Sequence, residues 1–271
     1  MKQFYISLSC IIILLSYACT NDNSPKDTTD TNNISTPITI FVANFGNLDR
    51  SELAEKIEVL QKFSPKAIGF DAVFSDMKEN DKDEKLKNAF ALRNNIVLGA
   101  FGEYDNYGEA HGIKISNEYF GKIPYGYCEL VIDDKKEAES IDKQINLKDG
   151  RTVYPLSAEI VRMYNPDAFE YYKNHTGRAY KFKYAENASN ENINVEEIDF
   201  EEITDTSSSL NRIKDGIVLL GYLGSDQIAR QVNDSIDNFT YTDHSGRHIV
   251  KGVKIHAYII GKILNEYRLG K

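Results

Sequence analysis

The 271 residues carry 32 Lys and Arg against 41 Asp and Glu, a formal net charge of -9, which argues against a nucleic-acid surface, because that needs cations clustered on one face. A hydrophobic fraction of 41% is enough to build a buried core in one or two domains. Of the three cysteines, Cys10 and Cys19 fall in the leader region, so Cys128 has no disulfide partner within the folded part and reads as a small buried hydrophobe.

Met1-Lys2-Gln3 supplies a short positive region, and Phe4 to Ala18 is an apolar stretch too short to span a bilayer comfortably. Residues 1–18 therefore read as a signal peptide. Leu15-Ser16-Tyr17-Ala18-Cys19 resembles the lipobox of bacterial lipoproteins, although Ser16 stands where that motif prefers Leu, and Cys19 is the candidate lipidation site. A cleaved ordinary signal or a short signal anchor with an incidental Cys19 is the other reading. Residues 19–37 are rich in Asn, Asp, Ser, Thr and Pro and nearly free of apolar side chains, which predicts a disordered polar tether.

Folded sequence begins with Ile38-Thr39-Ile40-Phe41-Val42-Ala43, a β-branched and aromatic strand. Leu53, Ala54, Ile57, Leu60 and Phe63 then recur at helical spacing up to Pro65. Lys66 to Phe74 is an almost unbroken apolar run and reads as a central strand covered on both faces, with Asp71 inside it. A charged loop from Ser75 leads to a helix with Leu86, Ala89, Phe90 and Leu92 as its buried stripe, and Ile96 to Phe101 is the third strand. The spacing predicts a further strand within Lys122–Ile132, set antiparallel. Two short strands flank the Asp149-Gly150 turn, and a helix over Pro155–Tyr164 is stopped by Asn165-Pro166. Asp167 to Leu210 reads mostly as loop around a strand at Tyr180–Tyr184. Asp215–Tyr222 is a second central strand, Gly224–Lys251 a polar loop, and the last helix carries Val253, Ala257, Ile260 and Leu264 on its core face.

Four stretches in order, Ile38–Ala43, Ile68–Phe74, Gly216–Gly221 and Gly252-Val253-Lys254-Ile255-His256-Ala257, resemble the CHASE2 family, as does Asp237-Asn238-Phe239-Thr240 before the final helix. The resemblance covers residues 38–271 as one α/β domain and implies an extracytoplasmic sensory role. Family members usually continue into transmembrane helices and a cytoplasmic output module. This sequence stops after the domain, so the resemblance implies that a partner would relay its signal. The family's first strand often ends in an acid where Asn44 stands here, and no ligand residues carry over.

Open α/β sheets bind ligands beyond the carboxyl ends of their strands, which makes Asp71 and, after the second central strand, Ser225 and Asp226 the candidate ligand-binding residues. The plainer reading of Asp71 is a carboxylate satisfied by a neighbouring loop. His256 reads as a structural histidine, with a switchable or metal-binding imidazole as the other reading. His244 and His248 with Asp243 lack further ligands at metal-site spacing, so no metal or cofactor is assigned. Gly221-Tyr222-Leu223-Gly224-Ser225-Asp226 has neither the P-loop Lys-Ser/Thr nor a Gly-x-Ser-x-Gly elbow and reads as a tight turn.

The sequence thus predicts an α/β fold with a mostly parallel central sheet flanked by helices and antiparallel additions in mid-chain. The expected protein is lipid-anchored in the cell envelope, facing the periplasm or cell surface. It binds a small molecule or an envelope protein, does not bind nucleic acid and has no catalytic residues. The alternative is an extracytoplasmic hydrolase working at the strand ends around Asp71, Ser225 and Asp226.

Overall fold

Residues 36–46, 48–133, 137–174, 177–184, 192–199, 203–224, 238–243 and 246–270 are described by a computed structural model. The leader, Cys19, the tether up to residue 35, Ser225 and Asp226 lie outside them. The chain runs β1 (Ile38–Asn44), α1 (Arg50–Lys62), β2 (Ala67–Phe70), α2 (Asn80–Ala91), β3 (Ile96–Tyr104), β4 (Ala110–Lys114), β5 (Tyr125–Tyr127), β6 (Val131–Ile132), β7 (Ala138–Asp142), β8 (Ile145–Asn146) and β9 (Thr152–Val153). It continues through α3 (Leu156–Tyr164), α4 (Pro166–Asn174), β10 (Ala179–Lys181), β11 (Ile193–Ile198), β12 (Ile217–Gly221), β13 (Asn238–Asp243), β14 (Gly246–Lys251) and α5 (Gly252–Leu269).

A seven-stranded sheet of order β11-β1-β12-β2-β3-β4, with β5 also on β3, forms the centre. Every pairing in it is parallel except β3 with β4. Alternation along the strands sends side chains to opposite faces. Phe41, Ala43, Ile68, Phe70, Val218 and Leu220 meet α1 and α2, whereas Ile40, Val42, Ala67, Ile217 and Leu219 meet α3 and α5. The result is a three-layer α/β/α arrangement with small antiparallel additions β10-β7-β6, β8-β9 and β13-β14.

Local chemistry accounts for the helix positions. Asp49 caps α1 by accepting from Ser51 N (2.8 Å) and Glu52 N (3.0 Å), while Glu52 Oε2 accepts from Asp49 N at 2.8 Å. On α5, Val253, Ile255, Ala257, Ile259, Ile260, Ile263 and Leu264 are buried, and it crosses β1, β11 and β12. Its close approach requires Gly221, because a methyl group there would stand 2.5 Å from Val253 Cβ.

Several expectations are corrected. The run Lys66–Phe74 is strand only over Ala67–Phe70. Beyond Phe70, the Ala72 carbonyl accepts from Gly99 N (3.1 Å) and Phe74 N donates to Ser116 Oγ (3.0 Å). Phe74 thereby turns away to pack edge-on against Phe70, Phe90 and Phe120. Leu92 caps α2 and is 52% exposed rather than buried. The Lys122–Ile132 strand shrinks to β5, which is parallel to β3, with β6 after it. Pro166 does not merely stop a helix; it starts α4, since proline is tolerated at a first helical position. The polar segments also hold β11, at the sheet edge, and the β13/β14 hairpin.

Candidate functional site

Two carboxyl-terminal strand ends, the middle of β3 and one helix start converge on one spot. Asp71 follows β2, Cys128 follows β5, the Gly99 backbone belongs to β3, and His256 lies in the second turn of α5. An Asp71 carboxylate oxygen, Cys128 Sγ and a His256 ring nitrogen all lie within 4.8 Å of one another. Asp71 is half-buried, while Cys128 and His256 are 8% and 1% exposed.

Each residue is held by its element. Asp71 N donates to Leu220 O at 2.8 Å, which joins its backbone to β12. Its carboxylate faces the start of α5: a methyl group on Gly252 would touch Asp71 Oδ2 at 3.5 Å. Lys251 at that N-cap makes no side-chain capping hydrogen bond among the described residues, and the helix's positive dipole end favours an anion. Among the described residues the Asp71 carboxylate takes a side-chain hydrogen bond from Cys128, just after β5.

Cys128 N donates to Ala100 O at 3.0 Å. Gly99 leaves room for the thiol, since a Cβ there would lie 2.8 Å from Sγ and 2.9 Å from Ala72 N. Burial first, and then the facing Asp71 carboxylate, push the Cys128 thiol well above its ordinary value, and Glu129 acts in the same direction. His256 Nε2 lies 3.1 Å from Cys128 O. A carbonyl only accepts, so in the neutral ring Nε2 carries the hydrogen and Nδ1 keeps a free lone pair. His256 Nδ1 is buried and, among the described residues, has no hydrogen-bond partner.

Two clefts lie near this end or opposite it. One of about 830 Å³ is lined by Asn44, Phe45, Glu52, Lys56, Glu197 and Leu223 at the ends of β1 and β11. Asn44 is structural there, its Oδ1 accepting from Gly46 N (3.1 Å) and Leu223 N (3.0 Å). The other, about 700 Å³, opens on the amino-terminal side of β5 between Leu98, Phe120, Tyr125, Tyr154, Glu159 and Arg162. Burial pushes the Glu159 carboxyl up to about 7, against the pull of Arg162 Nη2 at 2.5 Å.

Of the sequence candidates, Asp71 sits in the convergence, and Ser225 and Asp226 lie outside the described residues. Cys128 reads from the sequence as a small buried hydrophobe and His256 as a structural histidine, and nothing in their spacing links them to Asp71. Asp243 ends β13 and His248 lies on β14, where it stacks on Tyr241 with centroids 5.1 Å apart, while His244 lies outside the described residues.

Among the described residues no helix is long and apolar enough to cross a membrane. No curated protein and no solved structure matches the chain. Against known families, residues 29–270 match the CHASE2 domain, which is nearly the whole sequence. The parallel sheet with β2 and β12 at its centre and α5 starting beside Asp71 occupies the four stretches by which the sequence resembled that family. The chain belongs to the CHASE2 family of extracellular sensory domains.

Proposed function

We infer that this chain is a lipid-anchored sensory domain that recognises a small molecule or an envelope protein at the carboxyl ends of its central strands and performs no chemistry on it. The observation that carries this reading is the CHASE2 match over residues 29–270. The lipobox-like Leu15–Cys19 supports acylation of Cys19 as the membrane link, with residues 20–37 as the tether. The half-buried Asp71 carboxylate at the start of α5 supports recognition at that end of the sheet.

A raised thiol supports the non-catalytic reading, because the nucleophile in cysteine chemistry is the thiolate and needs its pKa lowered. A hydrolase using Asp71, Ser225 and Asp226 has only Asp71 among the described residues. Three measurements test the proposal. Cells fed a fatty-acid analogue should label the chain, and Cys19→Ser should abolish the label; an unlabelled mature protein refutes the anchor. Purified full-length chain should gain thermal stability with at least one member of a panel of envelope metabolites, because a ligand of the native state raises apparent stability. Turnover of ester or amide substrates that is lost in Asp71→Asn would replace the sensory reading with the hydrolase.

A further inference from the structure

We propose that Asp71, Cys128 and His256 form a binding site for a divalent transition-metal ion of the Zn²⁺ class. The donor set mixes carboxylate, thiolate and imidazole, which together suit zinc better than calcium or magnesium, whose ligands are oxygens. Around a tetrahedral zinc these donor atoms stand about 3.3–3.8 Å apart, given its bond lengths. They already lie within 4.8 Å of one another, so side-chain adjustments of about 1 Å close the site.

The Nδ1 of the buried His256, unpartnered among the described residues, is the second, independent observation. With Nε2–H held on the Cys128 carbonyl at 3.1 Å, Nδ1 is the nitrogen left for an ion. A metal-bound histidine usually donates its other ring N–H to such an acceptor, which fixes the ring and strengthens the ligand. Here the acceptor is the backbone of another ligand residue, so two ligands are oriented by one bond.

Charge supports the same assignment. Binding replaces the Cys128 S–H bond with an S–Zn bond and releases that proton to solvent. The Asp71 carboxylate and the new thiolate supply two negative charges, which the dication neutralises in a largely buried place. Three protein ligands leave one position open, as in zinc sites that take water or an exogenous ligand, and half-buried Asp71 is the side from which solvent reaches it. The inference goes beyond the sensory reading and stands without it, since ion binding does not depend on what the domain reports.

The test is a titration of the full-length chain with Co²⁺ and then Zn²⁺. Co²⁺ should produce thiolate-to-cobalt charge-transfer absorption that saturates at one equivalent and disappears as Zn²⁺ displaces it. Cys128→Ser should abolish that absorption, and Asp71→Asn and His256→Gln should each weaken Zn²⁺ binding about tenfold or more. Absence of the thiolate band in the unaltered chain overturns the proposal, whether or not any variant folds. A band that survives Cys128→Ser puts the ion on another cysteine and overturns it equally. Metabolite-induced stabilisation without ion binding would refute the metal site alone, and ion binding without any CHASE2-type ligand would leave it intact.

Discussion

Replacing Glu159 by Gln should stabilise the protein at high pH and leave it unchanged at low pH. Glu159 is 5% exposed in the wall of the cleft beside β5. Burial raises its carboxyl from 4.5 to about 7, with the Arg162 charge lowering it only in part. Because the folded value lies above the unfolded one, the native chain holds an extra proton between those two values. Stability therefore falls as pH rises through that window, and the cost is complete above about pH 7. A rise of this size corresponds to about 3 kcal/mol. Gln keeps the shape of the neutral acid and has no proton to lose. Urea unfolding of both chains from about pH 4 to about pH 8 should thus show curves that coincide at the acid end and separate by up to about 3 kcal/mol at the basic end. A difference that does not change with pH would refute the assignment of a buried, proton-binding carboxyl.

Other expectations follow from the same packing. Arg50 pairs with the fully buried Asp83, whose Oδ2 also accepts from Lys78 N at 2.7 Å. Arg50→Ala strands that carboxylate and should cost about 3 to 5 kcal/mol in chemical denaturation. Burial opposes ionisation of Asp83, but the Arg50 guanidinium and the Lys78 N–H hold its carboxyl below the usual range. Its contribution is accordingly present above the unfolded value and lost as pH falls through the folded one; acid unfolding of the wild type that leaves the Arg50–Asp83 contacts intact would contradict this. Gly99→Ala should destabilise by about 1 to 3 kcal/mol, since the new methyl meets both the Cys128 thiol and the Ala72 backbone. Phe90→Ala should lose about 3 to 5 kcal/mol, because Phe90 contacts Phe70, Phe74 and Phe120 edge-on inside the core.

Much of the sheet was legible because its strands are apolar on both faces. Ile38–Asn44, Ile96–Ala100 and Ile217–Gly221 announce themselves as buried parallel strands, and α1 and α5 carry clean helical stripes. What was missed has a common cause. Strand β11, Ile-Asn-Val-Glu-Glu-Ile, lies at the sheet edge and alternates with polar residues, so it resembles its loop surroundings. In α4, Pro166 reads as a stop from one side and as a start from the other. Strand β2 ends at Phe70 because Phe74 is drawn into an aromatic cluster built by residues up to Phe120, which no local window contains. The same non-locality hid the site. Asp71 is visible as an acid in an apolar run, but Cys128 and His256 join it only through the strand order and the placement of α5.

Zinc-edge X-ray absorption of the zinc-loaded full-length chain tests the Asp71–Cys128–His256 centre most directly. The account predicts one sulfur neighbour at about 2.3 Å together with nitrogen and oxygen neighbours at about 2.0 to 2.2 Å. A shell of nitrogen and oxygen alone would contradict it.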